Sequence, residues 1–492
     1  MFVLTLILFI LVVYYLKYRR SRKLLYKFSE GLHSTGELPI IGHTHWFIGG
    51  PEKLLNNIRS LAERIDDTGS ICKVWIGTSL YVVTFNLDDV QLVLESCLEK
   101  DSSYKFLRAW LGNGLFVAPV HLWKSHRRLL LPVFNNRVIE DYIEIFGKQG
   151  DILVKRLQDR VGKKQFNVYE YVTSCMLDIV FETSMGEKMH VQSNPDTPYL
   201  RARKAVMSII NMRLFKAWLQ PDVLFNLTRH ASSQKENIDA THKFTDEVIM
   251  KKKTAYDKFK YNINGSEEEK EGTKDTLQIL LEREINFSNI ELREHLDSLT
   301  IAGNDTTALV ISYVLILLGN HPDTQEEVYM ELKSIFGNSK RIPTKEDLGK
   351  METLERVIKE TMRLYTVVPI IARKTLTELK LSTCTVPAGV GCAIVPFVMH
   401  RSKKIWGSDA DNFNPDRFLP ENCATRHPCA YMPFSIGPRN CIGRHFAFLV
   451  MKSIISNILR SFKIISEPCG PLKIEIILFP VCGHLICLER RS

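Results

Sequence analysis

The chain has 492 residues, 45% of them apolar and 24% charged, and a net charge of +10. That balance excludes a disordered or collagen-like polymer and supplies enough apolar mass for one large core with room for a buried cofactor. The positive charge points to membrane and acidic protein partners and not to nucleic acid, because no segment interleaves basic and aromatic residues as a binding platform does. No internal repeat and no Gly/Ser- or Pro-rich linker divides the chain, so a single large, mostly helical unit is expected.

In chain order, Phe2 to Leu16 is uncharged and, apart from Thr5, apolar, and Lys17-Tyr18-Arg19-Arg20-Ser21-Arg22-Lys23 follows directly. This pattern predicts a transmembrane signal anchor over residues 1–16, a basic hinge linker over 17–44 and the main folded body over 45–492. At about 1.5 Å per residue the run is shorter than the ~20 residues that usually span a bilayer, so snorkelling Lys17 and Arg19 or a thin bilayer must help. A cleaved signal peptide is the rival reading, but the charged start and small-x-small site it needs are missing. Positive charge on the carboxyl side keeps that side in the cytoplasm, a reducing compartment. The 11 cysteines should therefore stay reduced, and spacings such as Cys423 to Cys429 or Cys482 to Cys487 match no zinc pattern. The sequons at Asn226, Asn264, Asn286 and Asn304 should carry no glycan for the same topological reason.

Further along, Trp123 and Arg127 stand at i, i+4 on one predicted helical face, a spacing that can embrace a carboxylate but also suits surface stacking. The charged stretch 251–271 reads as a solvated surface connection. Ser288-Asn289-Ile290-Glu291 has the form of a capping box, and a helical pattern then runs without proline to about Gly319, some 50 Å at ~1.5 Å per residue. Its apolar second half predicts burial. Inside it, Ala302-Gly303-Asn304-Asp305-Thr306-Thr307 sets an acid and two hydroxyls among apolar turns. The bland account is that Thr306 back-bonds to the carbonyl four residues earlier and Asp305 salt-bridges to a neighbour. Glu360 and Arg363 share a helical face at i, i+3, and Phe413-Asn414-Pro415-Asp416-Arg417-Phe418 follows.

Near the end stands Phe434-Ser435-Ile436-Gly437-Pro438-Arg439-Asn440-Cys441-Ile442-Gly443-Arg444-His445. Gly437 and Gly443 let backbone approach a flat cofactor, Arg439 can pair with a carboxylate, and Cys441 precedes a helix-forming stretch whose first-turn amides should lower its pKa. The spacing suits a haem-iron thiolate; the bland alternative is an ordinary buried thiol.

This run resembles the haem-ligand loop of cytochromes P450, Phe-x-x-Gly-x-Arg-x-Cys-x-Gly, at all five fixed positions. The resemblance implies Cys441 as the iron ligand, with Phe434, Gly437, Arg439 and Gly443 binding the cofactor. Ala302 to Thr307 resembles the family's oxygen-activating segment, where the helix widens locally beside the iron. There Thr306 would hydrogen-bond the iron-bound oxygen and Asp305 would relay protons. The Glu-x-x-Arg and Phe-x-Pro-x-Arg-Phe elements imply a buried network of Glu360, Arg363 and Arg417 bracing the thiolate loop. Trp123, Arg127, Arg373 and Arg439 are implied as haem-propionate partners. Lys124, Arg128, Arg444 and Lys452 are candidates for a basic docking patch, with His445 facing outward beside it.

Together with the Leu38-Pro39-Ile40-Ile41-Gly42 turn, these motifs occur in family order over nearly the whole chain. The fold implied is mainly α with a small β region near the amino end, behind the anchor. The implied function is a microsomal monooxygenase in the endoplasmic reticulum membrane, its body facing the cytoplasm. NADPH–cytochrome P450 reductase would supply electrons, with cytochrome b5 a further candidate partner. The apolar substrate stays open among fatty acids, terpenoid hormones and xenobiotics. The chain is most similar to the fatty-acid ω-hydroxylase branch (family 4), but Ala302 replaces the glutamate that often forms an ester there, so haem b should be non-covalent. The stretch His295 to Ile301, which keeps Asp297, and Thr366 in place of a usual proline also depart from the branch. Pocket positions placed by resemblance (101–122, 200–230, 295–303, 366–372 and 478–484) include Phe106, Phe116, Leu299, Val368, Ile370 and Phe479. A haem-thiolate sensor without turnover and an enzyme that rearranges peroxides are the alternatives; an intact Asp305-Thr306 pair speaks against both.

Overall fold

The computed structural model describes residues 2–39, 41–68, 71–261 and 273–491. Its central feature begins at a capping box: Ser288 Oγ accepts the Glu291 N–H at 3.2 Å, and the Glu291 carboxylate accepts the Ser288 N–H at 2.8 Å. Two donors that a helix start leaves open are thereby satisfied. The helix runs Asn289–Asn320, and every residue from Ala308 to Leu318 is buried. It packs against the helices Val168–Met185, Arg229–Tyr261, Glu352–Leu364 and Arg444–Ser461. All but Arg229–Tyr261 join it in the largest apolar cluster, which includes Ile311, Val314, Met451 and Ile455, while Val248 and Ile249 of Arg229–Tyr261 belong to a second. The helix stays regular through residues 302–307, with no local widening in this structure.

Among the described residues, Asn289–Asn320 is also the one helix long and apolar enough to cross a membrane. With 72% of its apolar window buried it is a core helix. The amino-terminal run forms one helix with Lys17, Arg19 and Arg20, Phe2–Ser21, and Lys23 opens a second, Lys23–Glu30.

The β structure is more dispersed than expected. The largest sheet has the order Cys72–Ile76, Ser79–Val83, Gly391–Ile394, Ile371–Lys374, Glu99–Lys100, so two of its five strands come from far down the chain. Three small sheets use residues 166–167, 379–386 and 462–490. Strands of two to four residues carry almost no periodicity, and their pairing is long-range, which hides them from sequence. The sheet register sets Lys100 opposite Arg373 and Arg373 opposite Cys392.

A second correction concerns the charged stretch 251–271. Residues 251–261 complete the Arg229–Tyr261 helix, and Lys251 pairs with Glu187 at 2.7 Å; residues 262–272, with the Asn264 sequon, lie outside the described residues. Lysine stems can lie along a helix while their ammonium groups reach water, so a charged face does not exclude helix. Asn304 is fully buried, which removes it as a glycan acceptor whatever the topology.

Candidate active site

The thiolate loop is held by its own main chain. The Cys441 N–H donates to the Phe434 carbonyl at 2.9 Å and the Asn440 N–H to the Gly437 carbonyl at 3.1 Å. Gly437 has φ +71, and a Cβ there would lie 2.6 Å from the Leu94 carbonyl oxygen. It makes room for the end of the Leu87–Ser96 helix, a demand the sequence did not show. Gly443 faces the other way: an added Cβ would meet only Cys441 Sγ, at 4.0 Å. Burial pushes the Cys441 thiol above its ordinary pKa, against the Gly443 N–H and the Arg127 and Arg444 cations. The Gly443 amide and the two cations therefore act in the expected direction but are outweighed; a coordinated metal would supply the stronger positive charge that favours the thiolate.

Cys441 opens onto a cavity of about 300 Å³. Phe434, Gly443, Trp123, Arg127, Arg373, Arg439, Ala302 and Thr306 all line it, whereas Gly437 and Asp305 do not. Arg439 donates to the carbonyls of Leu98 at 3.0 Å and Ala118 at 2.6 Å and lies over the Trp123 ring, 4.2 Å from its centroid. Arg127 holds the Asn440 carbonyl at 2.8 Å and its Oδ1 at 2.6 Å. Lys100, which sequence reasoning missed, joins them; its ammonium lies 4.3 Å from the Tyr104 ring centroid.

Four cations thus face one cavity, and among the described residues that line it there is no carboxylate. The consequence is electrostatic: burial, with Arg373 and Arg439 as neighbours, pushes Lys100 well below its usual range, and burial and Arg373 push Arg439 down to about 10. Arg373 Nε and Arg439 Nη1 are buried without a hydrogen-bond partner among the described residues. Buried cations in this state call for anions. A flat apolar group bearing two carboxylates, with a metal facing the Cys441 sulfur, satisfies all of these demands, so the residues present fit haem.

The central helix contributes asymmetrically. Thr306 donates its hydroxyl to the Ala302 carbonyl at 2.6 Å, leaving its lone pairs toward the cavity. Asp305, about 100° round the helix, points away. Its carboxylate takes Arg203 at 2.5 Å, Asn304 Nδ2 at 2.8 Å and the Tyr169 hydroxyl at 3.3 Å. Both arrangements are the bland ones foreseen for these residues, an ion pair and a back-bond. Arg203 carried no signal in the sequence.

Behind the loop, Arg363 pairs with both oxygens of Glu360 at 2.7 Å, and both side chains are fully buried. Arg417 Nε lies 3.7 Å from the same carboxylate and the Asn414 N–H donates to it at 2.9 Å. Arg363 also donates to the His400 carbonyl at 2.8 Å. Thr366 Oγ1 meets His400 Nδ1 at 2.8 Å, and His400 Nε2 accepts the Met432 N–H at 2.9 Å, two residues before Phe434. Assigned from these partners, the imidazole is neutral with its proton on Nδ1; burial pushes its pKa down to about 3. Thr366, out of place against the expected proline, is therefore a link between the ion pair and the loop.

Several expectations fail. Lys452 is buried, donates to the Leu348 carbonyl at 2.9 Å and pairs with Glu355 at 2.6 Å, so it leaves the docking patch. His445 is half-buried, with Nε2 enclosed, and does not face outward. Of the pocket residues, Phe116, Leu299 and Val368 line the cavity. Phe106 packs with Trp110 and Val206, Ile370 sits beside the sheet and Phe479 stacks edge-on with Tyr169 at 5.6 Å. No residue of 200–230 or 478–484 lines the cavity.

Helical fold, thiol loop and cation-ringed cavity are those of one class of haem protein, and the chain belongs to the cytochrome P450 family, whose family model matches residues 33–479. Among curated relatives, it is 37% identical over 478 residues to cytochrome P450 4c3 of Drosophila melanogaster, covering 94% of this chain and 88% of that one. It is 36% identical over 467 residues to cytochrome P450 4V2 of Homo sapiens, covering 92% and 88%. The solved heme domain of cytochrome P450DA superposes with a TM-score of 0.81 at 22% identity, covering 94% of this chain and 98% of that one, a likeness of fold. Family membership makes this chain a haem-thiolate monooxygenase, an oxidoreductase that holds haem b, takes electrons from a redox partner and acts on apolar molecules.

Proposed function

We propose that the enzyme hydroxylates fatty acids or similarly apolar terpenoid and xenobiotic molecules. Its electrons come from NADPH through cytochrome P450 reductase, assisted by cytochrome b5, and it sits in the endoplasmic reticulum membrane, held by residues 1–16 with its body in the cytoplasm. One observation carries the reading of the site: four cations and no carboxylate among the described residues lining a mostly apolar cavity that contains Cys441. Bound haem supplies the iron at which dioxygen is activated. Cys441 would hold it through its sulfur, while Trp123, Arg127, Arg373, Arg439 and Lys100 would take its carboxylates. Phe434, Gly437 and Gly443 shape the loop. Thr306 presents its oxygen to the cavity as a hydrogen-bond acceptor, its own proton committed to the Ala302 carbonyl. Asp305 passes protons inward each time Arg203 releases it.

The test is reconstitution with reductase, NADPH and dodecanoic acid. The unaltered protein should give hydroxylated product, and Thr306→Ala should keep consuming NADPH while product per NADPH falls about a hundredfold and hydrogen peroxide accumulates. An unchanged ratio would remove Thr306 from the mechanism, and no NADPH-dependent product from lipid, terpenoid or xenobiotic panels would overturn the function.

Ala302 exposes a methyl group to the cavity where a carboxylate would be needed for an ester to haem. Acidified organic solvent should therefore strip all the haem from the polypeptide. Colour that stays with the protein through denaturing electrophoresis contradicts non-covalent attachment.

A further inference from the structure

Asp297 takes no part in the chemistry above, yet it is buried in the central helix, five residues before Ala302. Its Oδ1 accepts the Thr245 hydroxyl at 2.7 Å. Its Oδ2 is buried, has no hydrogen-bond partner among the described residues and lies 3.7 Å from His242 Nε2. The same imidazole nitrogen is 2.8 Å from the Trp110 carbonyl, and Trp110 Nε1 donates to Thr241 Oγ1 at 3.0 Å. Thr241, His242 and Thr245 belong to the Arg229–Tyr261 helix, and Trp110 to the short helix Lys105–Leu111. One carboxyl thus stands where three helices meet.

The short helix carries one wall of the cavity. Tyr104 precedes it and Leu115 and Phe116 follow it, and all three line the cavity. The intervening loop presses on the central helix so closely that a Cβ at Gly112 would collide with the Glu294 carboxylate and one at Gly114 with Ser298 Oγ. A displacement of Trp110 therefore moves that wall relative to Leu299 and Ala302. An asparagine at 297 would satisfy Thr245 without charge, so the carboxylate itself calls for an explanation.

We propose that Asp297 is a positioning residue for the substrate cavity, its carboxyl setting how firmly the His242–Trp110 contact holds the Lys105–Leu111 helix and its flanking wall residues against the central helix. This rests on the reading of the cavity as the haem and substrate space. The charge state supplies a readout. Burial pushes Asp297 up to about 7; Thr245 and Arg293 pull it down, and Asp246 and Glu294 push it up. Burial and Arg293 push His242 down, against the Trp110 carbonyl, Asp246 and Asp239. Tyr199, on the helix Pro198–Phe215, also lies in the field of Asp297. Ionised, the carboxylate competes with the Trp110 carbonyl for the His242 N–H and loosens the wall; protonated, it leaves that N–H to Trp110.

The experiment titrates the haem-loaded protein with 4-phenylimidazole and with its bulkier 4-(biphenyl-4-yl) analogue, following the Soret shift in a series of buffers from about pH 6 to about pH 8. The two ligands share the titrating ring, so the ratio of their dissociation constants reports cavity shape alone. In the unaltered protein that ratio should move about tenfold in favour of the bulky ligand as pH rises. Asp297→Asn should hold it at the low-pH value throughout. Thr245→Val, which removes a hydrogen bond that lowers the carboxyl's pKa, should keep the change and shift its midpoint upward. A ratio independent of pH in the unaltered protein, a change that survives Asp297→Asn, or a midpoint unmoved by Thr245→Val overturns the proposal. Absence of any Soret shift with 4-phenylimidazole overturns the cavity reading itself, and the proposal with it.

Discussion

Cys441→Ser should abolish the red-shifted Soret band of the reduced, carbon-monoxide-treated protein and lower turnover by at least about a thousandfold, about 4 kcal/mol of activation free energy. Serine keeps the size and the hydrogen bond to the Gly443 N–H, so the loop survives. What it loses is a soft anionic donor able to push electron density toward the metal. Nothing nearby can substitute: among the described residues lining the cavity Cys441 is the one thiol, and no histidine joins it. Apoprotein stability should change by no more than about 1 kcal/mol, since the side chain faces a cavity and not a packed core. A variant that still shows the thiolate band, or turns over within about tenfold of the original, would sink the assignment.

Arg363→Ala should be the most damaging substitution for folding. Removing one partner of a buried pair strands the other, at a cost of about 3–5 kcal/mol. Here it also frees main-chain carbonyls, including those of His400 and Asn412, that the guanidinium gathers. Burial already pushes the Glu360 carboxyl above its usual pKa despite Arg363, Asn414 and Arg417, and loss of the guanidinium removes the largest of the opposing influences. Domains are stable by only about 5–15 kcal/mol, so the variant should yield little haem-loaded protein. Denaturant titrations of Arg363→Ala, Glu360→Ala and the double variant should give a double cost well below the sum of the singles. Additive costs, or normal yields of haem-loaded Arg363→Ala, would show that the pair does not brace the loop.

The motifs legible in the sequence were those written contiguously. The capping box, the long helix and the loop around Cys441 each place their determinants within a few residues, where helix periodicity and turn chemistry act. Less legible was anything decided by a distant partner. Lys100 gains meaning only when a two-residue strand pairs with Arg373, and Arg203 only when its helix lays it against Asp305. Gly437 was visibly a position that needed glycine, but the reason lies in Leu94, more than 300 residues away in the chain. Lys452 misled because a lysine on an amphipathic helix reads as solvated unless its buried carbonyl and carboxylate partners are known.

The contact between Gly437 and the Leu94 carbonyl has a further meaning for how the molecule comes apart. The metal-bearing loop does not stand on its own hydrogen bonds alone; it leans on a helix packed in the same apolar cluster as the five-stranded sheet. A local opening that lifts that helix withdraws support from the sulfur, so release of the prosthetic group is expected to accompany it.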